Sequence, residues 1–290
     1  MQLFKPSPRS SRGHNRYSHK EYSFNRIDHE IISPLISLTL SVSNAHKNTY
    51  GVIVLPIKES ILFLIILLYT VGLAFLSYQT NGIIIFDSIS EPINKQIVYQ
   101  STTLFTTFIF LSILYRTKRE TFLTYFKKGD LAAEIIPEPY VGISPKEEEN
   151  WVHIGKNFAV IISLVTTLVM YFQIFKTSDL TAITILSTLP FGILFALSNS
   201  FVEEIITRLG VIVVFKDILP DRGIALLSGS IFGSIHYFGT PGGVTGVFVA
   251  GFLGWFLCKS ILETKGIFWA WLIHFLQDVI IFSALLTIAQ

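Results

Sequence analysis

The chain has 290 residues, of which 51% are hydrophobic and 14% charged, with a formal net charge of +2 and a mean hydropathy of +0.57. Soluble domains carry about a quarter of their residues as charges, so this balance excludes a large soluble core and points to a polytopic membrane protein, while so small a net charge gives no reason to expect a nucleic-acid partner. The single cysteine, Cys258, excludes an internal disulfide framework and a cysteine-based zinc site, and its apolar setting reads as simple packing.

Residues 1–58 read as a basic arm, partly disordered or interfacial. Arg9, Arg12, Arg16, Lys20 and Arg26 alternate with Ser, Asn and His, and the apolar stretch Ile31–Val42 is interrupted by Pro34. No secretory signal is expected, because no small-residue cleavage site follows the first apolar run. His14, His19, His29 and His46 share no helical spacing and read as solvated or headgroup contacts.

Ser60–Tyr78 is the first span by length and composition. A loop, Gln79–Gln96, follows, with Asn81-Gly82 and Glu91-Pro92 as turn signals. Ile97–Tyr115 is the second span, rich in Ser and Thr that can bond back to the helix. Arg116–Asn150 is the longest polar connection, and Trp151–Phe175 the third span, with Trp151 as an interfacial anchor. After the loop Lys176–Asp179, the fourth span runs from about Ala182 to Phe215. Gly223–Tyr237, Val244–Lys259 and Ile267–Ile288 are the fifth to seventh, the turn Gly239–Gly243 joining the first two of these. Ala225, Gly229 and Gly233, like Gly246, Ala250, Gly254 and Cys258, recur every four residues and favour close helix approach.

Lys and Arg concentrate in the N-terminal arm, Arg116–Asn150, Arg208–Arg222 and Lys259–Lys265, and the alternating connections nearly lack them. The positive-inside rule then places the N-terminus in the cytoplasm of an all-α, multi-pass bundle of about seven spans. Within it, residues 59–178 read as an N-terminal membrane region with a cytoplasmic loop at 116–150, and residues 179–290 as a second, polar-bearing region.

That second region carries the expensive residues. Glu203, Glu204 and Arg208 lie in the fourth span, at roughly 2.5–3.5 kcal/mol per charge on insertion scales. Glu204 and Arg208 are spaced for an ion pair. Asn199 lies four before Glu203, His236 is in the fifth span, and His274 and Asp278 share a face of the seventh beside Gln277. Counted from the cytoplasmic ends, the glutamates and both histidines lie roughly 13–21 Å deep at about 1.5 Å per residue. The count needs the fourth span to end near Phe215, a run so long that it must tilt, kink at Pro190 or begin in the interface.

Several chemistries suit such a set. A desolvated carboxylate can take a proton from water while imidazoles support the developing oxyanion. Glu203, His236 and His274 could instead hold a divalent metal such as zinc, a weaker reading because no two histidines flank a glutamate one helical turn apart. A proton relay would also use these groups, and a polar knot that locks the helices together would need no chemistry at all.

The ordered motifs Glu203-Glu204-x-x-x-Arg208, Phe232-x-x-x-His236 and His274-x-x-x-Asp278 resemble those of the CPBP intramembrane proteases, which include type 2 CAAX prenyl endopeptidases and relatives linked to bacteriocin immunity. The resemblance covers roughly Thr181–Phe282, includes a helix entry at Glu263–Trp269, and leaves residues 1–58 without a counterpart. It implies an intramembrane endopeptidase with a conical catalytic cavity at mid-membrane depth, open to the cytoplasm. One glutamate would activate water, Arg208 would hold the pair, and His236 and His274 would assist, with Phe232 beside the first histidine. Asp278 falls where the family often has asparagine, though aspartate also occurs, and an ionised acid cannot donate a hydrogen bond; it could instead orient His274. The implied substrate is a peptide or protein, prenylated in the family's eukaryotic precedent, met in the lipid of a bacterial cell membrane. The rival from another class is a non-catalytic scaffold or immunity factor that binds a partner in the same cavity. A transporter fits less well, since no inverted repeat is visible.

Overall fold

Inside hydrocarbon every backbone polar group must be satisfied within the protein, which leaves helices as the economical solution for this composition. The computed structural model describes residues 55–173, 182–239 and 242–288, and among these the regular structure is helical, with one isolated bridge between Glu138 and Ile143. Residues 1–54 of the arm (including Ile31–Val42 and its histidines), the loop Lys176–Asp179 and the centre of the Gly239–Gly243 turn lie outside the described residues.

The first two long helices are α1 (Ile57–Gln79) and α2 (Glu91–Thr117). Helix α2 begins earlier than the sequence suggests. Glu91-Pro92 opens the helix rather than a turn, because proline lacks only a donor that the first turn leaves unused. Asn94 secures this start: it is fully buried, accepts from the Ile85 and Phe86 amides, and donates to the Phe86 and Ile89 carbonyls. Between the helices, the Tyr69 hydroxyl donates to the Thr103 carbonyl at 2.8 Å.

A short helix α3 (Arg119–Tyr125) opens the long polar connection, which ends at α4 (Trp151–Gln173). The connection is tied down. The Asp130 amide donates to the Thr264 carbonyl at 2.8 Å, the Ile267 amide to the Lys127 carbonyl at 2.9 Å, and the Trp269 indole to the Leu131 carbonyl at 3.1 Å. Trp151 corrects its sequence reading. It is fully buried and its indole N–H donates to Glu263 Oε2 at 2.8 Å, so it anchors the core rather than the lipid interface.

Helix α5 (Ala182–Glu204) passes through a π turn, Ile205–Leu209, into α6 (Gly210–Phe215). The apolar stretch Ile185–Phe215 is 31 residues, or about 46 Å at 1.5 Å per residue, well beyond a perpendicular crossing. Helix α7 (Asp221–Ile235) ends in a 3₁₀ turn, His236–Phe238, followed by α8 (Gly243–Thr264) and α9 (Phe268–Ile288). Among the described residues six helices are long and apolar enough to cross a membrane. The expected fifth span is the exception: α7 has 15 residues, about 22 Å, short of a hydrocarbon core of about 30 Å. Helix α8 in turn runs past Lys259, which lies buried inside it and pairs with Glu263 instead of ending the span.

The most extensive helix contacts are α5 with α9 and α7 with α8. The small residues explain the second. A Cβ on Gly229 would lie 2.6 Å from the Gly251 carbonyl oxygen, and one on Gly233 2.5 Å from that of Val247, so only glycine permits this approach. Gly254 matters most for the site, since its missing Cβ would sit 3.0 Å from that of Phe232. Cys258 is buried in the same core.

Candidate active site

Three helices bring the candidate residues together. Helix α5 ends on Asn199, Glu203 and Glu204, the π turn supplies Thr207 and Arg208, α7 supplies Phe232 with His236 just beyond it, and α9 supplies His274 and Asp278.

The π turn sets the register. The Gly210 amide reaches back to the Ile205 carbonyl, one residue further than in an α-helix. Side chains bond to the backbone around this widened turn. Thr207 Oγ1 donates to the Glu203 carbonyl at 2.7 Å, and Ser228 Oγ donates across from α7 to the Thr207 carbonyl at 2.7 Å. The same Thr207 hydroxyl accepts from Arg208 Nη1 at 2.6 Å.

Arg208 is wholly buried. Its guanidinium lies 3.6 Å from the Phe232 ring centroid, a cation–π contact away from water, and Nη1 is 3.4 Å from Glu204 Oε1. Its Nε and Nη2 and the Glu204 Oε2 have no hydrogen-bond partner among the described residues. Phe232 is a hub as well as a neighbour. The His236 ring lies 4.2 Å from it, and the His274 ring meets it edge-on at 5.7 Å.

His274 joins the two glutamates. Its Nδ1 donates to Glu204 Oε1 at 2.7 Å, and its Nε2 faces Glu203 Oε2 at 3.4 Å and Asp278 Oδ1 at 3.7 Å. With Nδ1 committed as a donor, a proton must lie on the Nε2 face, either on the ring or on a carboxyl, for that face to be attractive. Asn199 closes the cluster from the other side. Its amide nitrogen donates to Glu203 Oε1 at 3.2 Å and to Asp278 Oδ2 at 3.0 Å.

The two glutamates differ in access. The Glu203 side chain keeps 14% of its surface exposed, that of Glu204 only 1%. The expected ion pair of Glu204 with Arg208 is present, but its shorter contact is to His274. His236 stands apart. It is half-buried, donates from Nδ1 to the Phe232 carbonyl at 2.8 Å, and leaves Nε2 without a hydrogen-bond partner among the described residues. Glu203, His236 and His274 do not converge as ligands. Among the described residues no three His, Cys, Asp or Glu side chains form a group that could hold a metal ion, so these donors do not fit a bound zinc.

Spacing in the sequence makes Asn199 visible as a neighbour of Glu203, but not as a bridge to another helix. Thr207 and Ser228 look like ordinary polar residues in apolar helices, and only the folded contacts single them out.

No curated protein and no solved structure matches the chain. The family model described as type II CAAX prenyl endopeptidase Rce1-like matches residues 185–280, a stretch that includes Asn199, both glutamates, Arg208, both histidines and Asp278. The matched stretch, about a third of the chain, is thus similar to Rce1-like type II CAAX prenyl endopeptidases, and it lies in a protein whose described residues include six helices long and apolar enough to cross a membrane.

Proposed function

We propose that the protein cleaves a peptide bond inside the membrane with a water activated by Glu203. The observation that carries this reading is the asymmetry of the glutamate pair. Both Glu204 oxygens are withdrawn, one onto His274 and Arg208 and the other into the interior, whereas Glu203 keeps an exposed edge beside the imidazole of His274. Glu204 and Arg208 then hold His274 in place, and Glu203 is the carboxylate that water can reach.

The chemistry follows from the donors and acceptors. Glu203 takes a proton from water as its oxygen adds to the scissile carbonyl. Neutral His236, with Nδ1–H bound to the Phe232 carbonyl, presents Nε2 as an acceptor and can hold that water. The Nε2 face of His274 holds the proton that steadies the oxyanion. As the C–N bond breaks, the proton gained by Glu203 passes to the leaving nitrogen and the carboxylate is regenerated. Preorganised groups in a water-poor site are effective because their reorganisation is complete before reaction.

The similarity to CAAX prenyl endopeptidases supports a substrate class for this reading: a protein or peptide ending in a prenylated cysteine followed by a short tail. By the positive-inside rule, the distribution of Lys and Arg supports an active site open toward the cytoplasm. A farnesylated Cys-a-a-X peptide incubated with the protein in liposomes tests the reading, with products identified by mass spectrometry. Release of the intact C-terminal tripeptide, undiminished by a chelator, is the expected result. A protein that is folded by its melting curve and releases no tripeptide contradicts it.

A further inference from the structure

We propose that Asn199 is a positioning residue for the reaction, holding the base through one amide that bridges two carboxylates on different helices. The inference rests on the protease reading above and names a residue that the three motifs do not contain.

The geometry is specific. Glu203 and Asp278 come from α5 and α9 and share two bridges. On one side the Asn199 amide nitrogen gives its two N–H groups to Glu203 Oε1 and Asp278 Oδ2. On the other, His274 Nε2 faces Glu203 Oε2 and Asp278 Oδ1. Each carboxylate thus has one oxygen toward the amide and one toward the imidazole. An amide is the right group for the first bridge, since its NH₂ offers two donors and cannot ionise. A carboxylate there would face two like charges, and a hydroxyl would have one proton for two acceptors.

Asp278 gives the bridge a further purpose. An ionised acid in that position has no proton to donate to Glu203, so a neutral donor between the two carboxylates is needed, and Asn199 supplies it from one helical turn before the base. Aligned this way, Glu203 has its Oε1 fixed and its Oε2 directed to the His274 side, while Glu204 is fully engaged elsewhere. Asn199 touches neither water nor substrate in this account and acts through Glu203.

Isosteric changes test the bridge while leaving the shape of the cluster intact. Asn199→Asp, Asp278→Asn and the double variant would be compared with the wild type in liposomes, using the fluorogenic farnesylated Cys-a-a-X peptide for kcat and KM and thermal unfolding in detergent for the fold. Asn199→Asp is expected to lower kcat by about 10- to 100-fold, the range for a lost hydrogen bond to a charged group, with KM little changed. Adding Asp278→Asn should then raise kcat and the melting temperature above those of Asn199→Asp, because it restores one amide and removes one charge.

Simple multiplication of the two single losses in the double variant would overturn the bridge. So would a recovery of melting temperature with kcat left at the Asn199→Asp level. If the wild type itself turns over no peptide, the protease reading fails. The melting temperatures alone then decide whether the two residues are coupled.

Discussion

Glu203 and Glu204 are adjacent, yet the fold gives one an exposed edge and the other almost none, with 14% and 1% of their side chains accessible. The difference comes from partners rather than from the glutamates themselves. Glu204 is the anion that balances a wholly buried Arg208 and fixes His274. Glu204→Gln would leave that guanidinium without its counter-charge, and removing one partner of a buried pair costs about 3–5 kcal/mol. Its expected signature is a clear fall in melting temperature together with lost activity. The spacing of Glu204 and Arg208 was legible in the sequence, because four residues on a helix is a local relation. The contact from His274 was legible only as a shared depth. The role of Asn199 was not legible, since its second bond reaches Asp278 on α9.

At the level of elements, the π turn at Ile205–Leu209 is what the sequence hides. Ile-Ile-Thr-Arg-Leu suits an α-helix as well as a wider turn, and the bulge becomes explicable only when its bonds are traced. Ser228 and Thr207 bond to the carbonyls of Thr207 and Glu203. Ser228→Ala should therefore destabilise the protein by ~1 kcal/mol, the usual net worth of such a bond, as a lowered melting temperature. Because Ser228 lies one turn before Phe232, the same change should lower kcat by loosening the ring under Arg208 and His236. An unchanged melting temperature and kcat would mean that the turn holds its shape alone. The long helices themselves were readable from hydropathy, with errors where local signals misled: Glu91-Pro92 reads as a turn but begins α2, and α7 is shorter than an ordinary crossing.

For the molecule as a whole, the long polar connection is fastened to the helices that carry the candidate site rather than left in solvent. Lys259 and Glu263, one turn apart on α8, hold Ile136 from both sides: Lys259 donates to its carbonyl at 2.7 Å, and Glu263 Oε2 accepts from its amide at 3.3 Å and from the Trp151 indole at 2.8 Å. Both side chains are more than nine-tenths buried. Lys259→Met should cost about 3–5 kcal/mol by stranding Glu263, and protease nicking within residues 136–149 should rise in step. Adding Glu263→Gln should return part of the loss. An unaltered nicking pattern would show that the connection is held by its other contacts. Trp151 belongs to this clamp, and its partner lies 112 residues away, which is why an indole at a helix entry reads from sequence as a lipid anchor.

The division of labour between the glutamates is the claim on which the rest depends, and one comparison addresses it. Glu203→Gln and Glu204→Gln would be assayed side by side in liposomes with the farnesylated peptide, each with its melting curve. The account predicts that Glu203→Gln keeps a wild-type melting temperature and loses kcat by about 100-fold or more, as for removal of a general base, while Glu204→Gln loses stability as well. Full activity in a folded Glu203→Gln variant would contradict it.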